Sequence, residues 1–248
     1  MLRNAKARVV HEVRCDLAAA FRLAARYHLE EGVCNHFSAV VREEADLFLL
    51  NPPNVHWSLM RASDLLLVDR NAQVIEGSAE PEPTSFYIHS RIHRRNPQAV
   101  CVMHTHMPYA TAVTVIEAGR LEPISQTALR LCTKAAYDDR YNGLALDEAE
   151  GDRICAALAD KSVLFLSNHG VIVTGASVAH AFGSLYYLER ACQLQWLAYQ
   201  SGKPLRRIAD GVIERAVREL DEDHERYAEV HFAAWKRLLD RDEPEYAQ

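Results

Sequence analysis

A short histidine pattern offers the clearest chemistry in this 248-residue chain. His104-Thr105-His106 emerges from the apolar run that begins at Ala99, and such a continuous run predicts a strand buried on both faces. Residues i and i+2 of a strand point to the same face, so both imidazoles can converge on one point. Because imidazole is the commonest ligand of first-row transition metals, the pair predicts half of a metal site.

A third ligand must come from elsewhere in the chain, and His169 is the leading candidate. It follows a second apolar run, predicted as a buried strand over Val163–Ser167, and Gly170 beside it allows a tight turn. Strand ends of α/β folds are where sites are usually built. Each feature alone also has a structural explanation, such as a pair of hydrogen-bonded histidines. Together they predict one divalent ion held by His104, His106 and His169.

Periodicity and turn residues define the elements of the first half that position this site. A helix is predicted over about Ala5–Glu31, where apolar residues recur at helical spacing and Gly32 follows. Alternating short runs predict strands over Phe37–Arg42, Leu47–Leu50, Leu65–Asp69 and Gln73–Glu76. A second helix begins after Pro83-Thr84, with Thr84 as its cap, and ends before Asn96-Pro97.

The second half continues as alternating strands and helices. Helices are predicted over Tyr109–Ala118 (opened by Pro108), Leu146–Leu158, Ser177–Gln200 and a charged segment to about Arg241. Tyr137 with Asp138 and Asp139 predicts a solvated turn. Since no linker divides the chain, we predict one α/β domain over residues 1–248, with a core at about 8–200 and a C-terminal helical extension at 204–241.

Composition excludes several classes of protein. There are 28 Lys plus Arg and 34 Asp plus Glu, so the formal charge of −6 disfavours a nucleic-acid binder. The chain contains no run of about 18 apolar residues, so no membrane span is expected. The six cysteines contain no C-x-x-C pair and are typical of small buried residues in a reducing compartment. The N-terminus lacks the apolar core of a signal peptide, so we expect a cytoplasmic protein.

The ordered motifs resemble the class II aldolase/adducin-head family over about Asp16–Gln195. The matching segments are H-T-H-M-P-Y-A, L-S-N-H-G-V-I-V-T-G, E-G-V-C-N-H-F-S, I-H-S-R-I-H-R-R-N-P and L-E-P-I-S-Q. The resemblance implies metal binding by the H-x-H pair and the N-H-G histidine, and an α/β/α sandwich on a mixed, largely antiparallel sheet. It also implies a homotetramer with sites at subunit boundaries. The I-H-S-x-I-H and P-I-S-Q segments resemble the adducin-like bacterial branch most.

Two departures from that family argue against a sugar-phosphate aldolase. Ser85 stands where fuculose-phosphate-type aldolases carry a catalytic Glu, and Glu80 and Glu82 lie upstream of it. The loop that cradles the substrate phosphate in those enzymes is here Asn51-Pro52-Pro53-Asn54, and each Pro removes one N–H donor. Both the usual acid and the phosphate cradle are therefore predicted to be missing.

The remaining chemistry favours decarboxylation. A divalent ion stabilises the negative oxygen that develops as a C–C bond breaks. Retro-aldol cleavage also needs a base for the hydroxyl proton, the role of the missing Glu, whereas decarboxylation needs only an acid afterwards. We predict a lyase that decarboxylates a hydroxy, oxo or hydroxylated aromatic acid with one transition metal. Histidine ligands disfavour Ca and Mg and allow Zn, Mn, Fe, Co or Ni, with Zn or Mn preferred.

Other polar residues are candidates for the remaining roles. Tyr109, three residues beyond His106, is the first candidate for the proton donor, and the others are His89, His93 and Tyr137. Ser85 could at most orient the substrate. The substrate carboxylate is predicted to meet Asn35, His36 and Ser38, with Arg42 beyond them. Core packing, paired hydroxyl groups and strand-edge hydrogen bonds explain the same residues without catalysis.

Three other functions remain open at this point. An aldolase of a non-phosphorylated substrate would use a displaced acid, Glu80 or Glu82. An oxygenase-decarboxylase would bind Fe(II) through the same three histidines. The adducin head keeps this fold as an assembly module without known catalysis, although there the ligand histidines would be replaceable. For every enzymatic alternative the expected partners are a small-molecule carboxylate and copies of the same chain.

Overall fold

A computed structural model describes residues 2–41 and 47–248, with side chains from residue 8 onward. The helices are α1 Leu2–Arg26, α2 Pro83–Arg95, α3 Pro108–Thr114, α4 Gln126–Leu129, α5 Glu148–Leu158, α6 Val178–Gln200, α7 Asp210–Glu222 and α8 His224–Asp242. The strands are β1 His36–Val40, β2 Leu47–Leu50, β3 Leu66–Asp69, β4 Val74–Glu76, β5 Cys101–Thr105, β6 Ala135–Asp138, β7 Val163–Leu166 and β8 Gly170–Gly175. The predicted carboxylate-binding Arg42 lies outside the described residues.

The strands form one mixed sheet in the order β4-β3-β2-β1-β5-β8-β7-β6. Neighbouring strands are antiparallel except for β6 and β7, which run parallel. The mixed, largely antiparallel sheet expected from the resemblance is confirmed. β5 lies at its centre, between β1 and β8, so the strand that carries His104 is held on both edges.

Both faces of the sheet are covered, as the apolar runs predicted. Successive residues of β5 point to opposite sides, so Met103 packs in one core cluster and Val102 in another. The larger cluster includes Phe21 of α1 and Leu185 of α6. The smaller one includes Ile88 of α2, together with residues of α5. The chain is therefore an α/β/α sandwich, with α2 and α5 on the side toward which His104 projects.

Of the C-terminal segment, α8 and the residues after it belong to the main core, whereas α7 has no buried residue. Phe232, Trp235 and Leu239 of α8 are buried in that core, and so is Tyr246. The prediction of one long helix was wrong, because the helix breaks at Asp223 and α7 and α8 are separate. Across the described helices, none is long and apolar enough to cross a membrane.

Three local predictions also need correction. Glu82, not Thr84, caps α2, because its carboxylate accepts a hydrogen bond from the Ser85 N–H. Tyr137 lies in β6 and not in a solvated turn, and its ring stacks on Phe165 at 5.0 Å. All six cysteines are free, but Cys34 is exposed, contrary to the expectation of burial.

Candidate metal centre

The central strands bring the first two histidines to one end of the sheet. His104 lies in β5, and its partners across the sheet are His36 in β1 and Ile172 in β8. β5 ends at Thr105, so His106 is the first residue beyond the strand. The His104 and His106 Nε2 atoms nevertheless lie 3.0 Å apart, as expected for two imidazoles that converge on one point.

His169 completes a triangle with these two residues. The ring centroids are 4.9 Å apart for His104 and His106, 4.7 Å for His104 and His169, and 4.8 Å for His106 and His169. One ligand nitrogen from each residue lies within 4.8 Å of the other two. The structure therefore brings together the three histidines that the sequence singled out.

A tight turn after β7 places His169. Leu166 pairs with Gly170, so only three residues connect β7 to β8. Asn168 adopts the left-handed conformation with φ of 57°, which Asn tolerates better than most residues. A Cβ at Gly170 would lie 2.5 Å from the Thr105 carbonyl oxygen and 2.7 Å from His106 Cδ2. The glycine is therefore required for β8 to approach the end of β5.

Hydrogen bonds at Nδ1 of His104 and His106 leave the Nε2 atoms of both rings available to ligate a metal. His104 Nδ1 donates to the Val171 carbonyl at 3.0 Å, and His106 Nδ1 donates to Glu31 Oε2 at 2.5 Å. Each bond places the proton on Nδ1 and leaves a lone pair on Nε2. Partners of this kind orient the ligand histidines of metal sites. The donor set therefore fits a divalent transition metal.

The electrostatic surroundings favour neutral rings at this centre. Burial, together with the neighbouring histidines, holds the pKa of His104 well below its ordinary value. Burial and the nearby His106 lower the pKa of His169 to about 4. Since a neutral imidazole offers a lone pair and a protonated one does not, both rings are ready to ligate at neutral pH.

Asn35 is placed beside the centre but is committed to the backbone. Its side-chain oxygen accepts hydrogen bonds from the N–H groups of Glu31 and His106, at 2.9 and 3.3 Å. Its amide nitrogen is buried and has no partner among the described residues. The sequence identified Asn35 as a residue of the site and missed Glu31. The E-G-V-C-N segment contains both, and a carboxylate four residues before Asn35 was the available signal.

Three further predicted residues form a buried network with His93. His36 Nδ1 and His89 Nε2 are 2.7 Å apart, Ser38 Oγ contacts His89 Nδ1, and Ser38 Oγ lies 2.7 Å from His93 Nε2. Ser38 and His89 are fully buried, and His36 is 5% exposed. The structure places Ser38 and His89 inside this network, and their contact with a substrate stays a prediction.

Ser85 occupies the first turn of α2, where it has a structural partner. Its hydroxyl donates to the Glu82 carbonyl at 2.7 Å, and the side chain is 2% exposed. The Glu82 carboxylate accepts from the Ser85 N–H at 2.8 Å and from the Thr84 hydroxyl at 2.5 Å. Glu80 is exposed. A role of Ser85 in orienting the substrate, or of Glu82 as a displaced acid, would therefore compete with the hydrogen bonds that cap α2.

The predicted proton donors have differing positions. Tyr109 is half-buried and packs on the main core, and its side chain makes no hydrogen bond or ring contact with the three histidines within the described chain. The Tyr137 hydroxyl accepts from the Leu121 N–H at 2.9 Å, and burial raises the pKa of this tyrosine. Tyr141, which the sequence reasoning missed, is 54% exposed, and its ring lies 6.3 Å from His169.

Buried Glu189 of α6 is a second residue that the sequence did not reveal. Its carboxylate accepts hydrogen bonds from the N–H groups of Tyr109 and Ala110, at 2.9 and 2.8 Å. These groups lie in the first turn of α3, which would otherwise leave them unpaired. Glu189 therefore fixes the start of the helix that follows His106.

Comparison with known proteins gives consistent matches. Residues 15–196 match the family described as "Class II Aldolase and Adducin N-terminal domain". A Caulobacter vibrioides protein named "Putative aldolase class 2 protein" is 34% identical over 240 residues, covering 95% of this chain and 92% of that relative. Alpha-adducin of Rattus norvegicus is 37% identical over 187 residues, covering 74% of this chain and 25% of that relative.

Solved structures agree with these sequence matches. The crystal structure of an aldolase II superfamily protein from Pseudomonas syringae has a TM-score of 0.89 and 34% identity, and the match covers 96% of both chains. The L-fuculose 1-phosphate aldolase from Glaciozyma antarctica PI12 has a TM-score of 0.81 and 24% identity over 96% of this chain and 92% of that one. At that identity the second likeness concerns the fold alone.

Proposed function

Because the chain belongs to the class II aldolase and adducin family, we propose that it is a divalent-metal-dependent carbon–carbon lyase. The observation that carries the proposal is the convergence of His104, His106 and His169, with two of their Nδ1 protons directed away from the common point. Zn or Mn is the preferred ion. When bound, such an ion supplies the positive charge that stabilises a developing negative oxygen.

We assign decarboxylation as the reaction, because Ser85 and Glu82 are both engaged in hydrogen bonds at the start of α2 and neither is free to act as a base. A serine hydroxyl is a poor base near neutral pH, and this one already donates to a backbone carbonyl. The Glu82 carboxylate accepts two hydrogen bonds at the start of α2. Loss of CO2 needs no hydroxyl proton to be removed first, so it is the C–C cleavage that these residues best support.

The substrate we propose is a small hydroxy or oxo acid, or a hydroxylated aromatic acid. Asn35 supports this class, because its unpartnered amide N–H lies in the same side chain that holds the His106 backbone. A buried donor left unpaired costs about 1–3 kcal/mol, which a substrate oxygen would recover. Tyr109 and the exposed Tyr141 are the candidates for protonating the product carbanion.

We further propose that the chain assembles as a homotetramer. Several large apolar side chains are exposed, among them Val115 and Ile116 after α3 and Leu194, Trp196 and Leu197 near the end of α6. Exposed apolar groups of this kind are typical of protein interfaces. Gel filtration with light scattering is the test, and a stable monomer of 28.0 kDa would contradict the proposal.

The reaction is tested on protein reconstituted separately with Zn, Mn, Fe, Co or Ni. Hydroxy acids and aromatic carboxylates are screened for CO2 release, and oxygen uptake is followed in the same samples. We expect metal-dependent, oxygen-independent release, which His106→Ala abolishes. Oxygen-dependent turnover would indicate the Fe(II) oxygenase instead. Failure to bind about one equivalent of any transition metal would indicate an assembly module, a role that the likeness to alpha-adducin supports.

A further inference from the structure

Four polar side chains form a continuous chain of hydrogen bonds between α2 and the metal centre. His36 and Ser38 alternate with core residues of β1, so both point toward α2. His89 and His93 are one helical turn apart on α2 and meet them. At the far end, His93 Nδ1 lies 2.7 Å from the Ala99 carbonyl oxygen. The hydrogen bonds therefore link, in order, the Ala99 carbonyl, His93, Ser38, His89 and His36.

The Ala99 carbonyl sets the direction of this chain, because a carbonyl can only accept. His93 must donate from Nδ1, so its Nε2 carries a lone pair and accepts from the Ser38 hydroxyl. With its own proton used, the Ser38 oxygen accepts from His89 Nδ1. The proton position in each neutral ring follows from that of the ring before it.

The same reasoning fixes the state of His36. His89 carries its proton on Nδ1, so its Nε2 accepts from His36 Nδ1 at 2.7 Å. Nε2 of His36 is consequently left without a proton. The reverse direction would place two acceptors face to face at Ala99. His89 and His93 must be neutral in order to accept at Nε2, and the burial of His36 favours its neutral form as well.

His36 stands directly beside the metal centre. It pairs with His104 across β1 and β5, and the two ring centroids are 4.7 Å apart. That distance equals the one between His104 and His169. Its Nε2 has no hydrogen-bond partner within residues 2–41 and 47–248, and the residue is 5% exposed. An acceptor is therefore left free next to the three histidines.

We propose that His36 accepts a hydrogen bond from the hydroxyl group of a ligand at the metal centre, through an Nε2 that the His93–Ser38–His89 chain keeps unprotonated. Ser38, His89 and His93 are positioning residues that act through His36. The inference rests on the proposed metal site and narrows its substrate class to acids that carry a hydroxyl group.

The first test needs neither metal nor substrate. Nitrogen-15 NMR of histidine-labelled, metal-free protein reports which ring nitrogen carries the proton, and His36→Gln identifies the His36 signals by their loss. We expect the Nδ1–H form in the wild type. Ser38→Ala removes the group that fixes His89, so His36 should become a mixture of both forms. Ser184→Ala, another buried serine, should leave the His36 signals unchanged.

Two NMR results would overturn the inference. One is an Nε2–H form of His36 in the wild type. The other is an unchanged His36 spectrum in a folded Ser38→Ala protein. A purely structural role for Ser38 would change stability without changing the proton position in a ring that it does not touch.

The second test measures ligand recognition on zinc-loaded protein. Calorimetry compares glycolate with methoxyacetate, in which a methyl group blocks the hydroxyl proton. In His36→Phe the ratio of the dissociation constants of methoxyacetate and glycolate should fall about fivefold, the effect of one hydrogen bond. The variant should still bind about one equivalent of zinc. An unchanged preference would overturn the inference. A wild type that binds no zinc would instead refute the proposed function, and the NMR result would still stand.

Discussion

The carboxylate of Glu31 accepts a hydrogen bond from Nδ1 of His106 at 2.5 Å, although the two residues are 75 positions apart in the chain. Glu31 follows α1, and its backbone is tied to Asn35, whose side chain also holds the His106 N–H. The loop after α1 thus orients one proposed ligand through both its side chain and its backbone.

Glu31→Gln should therefore weaken metal binding. An amide cannot match the charge-assisted bond to the ring, and loss of such a partner typically costs 10–100-fold in metal affinity. Competition with a chelating dye measures the effect. Glu12→Gln, which removes an exposed partner of Arg8, is the matched control and should bind as the wild type does. Equal affinity of Glu31→Gln and wild type would show that Glu31 does not support the site.

Removal of the metal should lower the melting temperature of the protein. An ion present at about 100 times its dissociation constant stabilises the folded state by about 2.7 kcal/mol, which for a chain of this size corresponds to roughly 5–10 °C. His104→Ala should melt like the chelated wild type and gain nothing from added metal. Full metal content in that variant, measured by elemental analysis, would show that the ligand assignment is wrong.

Gly170→Ala should disrupt the centre although no proposed ligand is substituted. The added Cβ would lie 2.5 Å from a backbone oxygen and 2.7 Å from His106, so β8 and the end of β5 must separate. We expect a loss of about 1–3 kcal/mol, as in overpacked cores, together with weaker metal binding. Gly211→Ala has nothing within 4 Å and lies in α7, so it should be neutral or stabilising. Denaturant unfolding and metal titration compare the two.

The stability of the metal-free protein should fall as the pH decreases below about 6.5. The pKa of His36 is lowered to about 3 and that of His93 to about 4, whereas both are near 6.5 in the unfolded chain. Between these limits the unfolded chain binds protons that the folded chain does not. Each group therefore removes about 1.4 kcal/mol per pH unit on acidification, and its contribution is complete above pH 6.5.

Substitution of His93 tests that pH dependence. His93→Gln should show a shallower decrease of the free energy of unfolding between about pH 6.5 and 4, because glutamine does not titrate. Exposed His56 provides the control, and His56→Gln should keep the wild-type slope. The same slope in all three proteins would mean that His93 is not buried in a neutral form.

Three variants near α2 distinguish decarboxylation from aldol cleavage. Ser85→Ala should lower turnover only modestly, since its hydroxyl donates to the Glu82 carbonyl and does not act as a base. Glu82→Gln should cost about 1 kcal/mol of stability, as expected for a weakened helix cap, and little activity. Glu80→Gln should be neutral in both measurements. A loss of several orders of magnitude in either Glu variant, with metal still bound, would favour an aldolase with a displaced acid.

The sequence by itself determined most of the elements and the three histidines proposed as metal ligands. The H-T-H segment after one buried run and the N-H-G after another identified three residues that the structure brings within 4.8 Å of one another. This prediction succeeded because a strand alternates its side chains and a three-residue turn leaves little freedom. The buried runs of β5 and β7 likewise predicted a sheet covered on both sides.

Only the tertiary structure decided what surrounds those ligands. Glu31 reaches His106, and Ser38 joins His89, through contacts between segments that are 75 and 51 residues apart. Whether a polar residue touches a substrate or supports a neighbour depends on its burial, which separates exposed Tyr141 from fully buried His89. Local spacing specifies which way a side chain leaves its own strand or helix. The partner that it meets is set by the packing of elements distant in the sequence, and packing alone placed the ring of His36 beside that of His104.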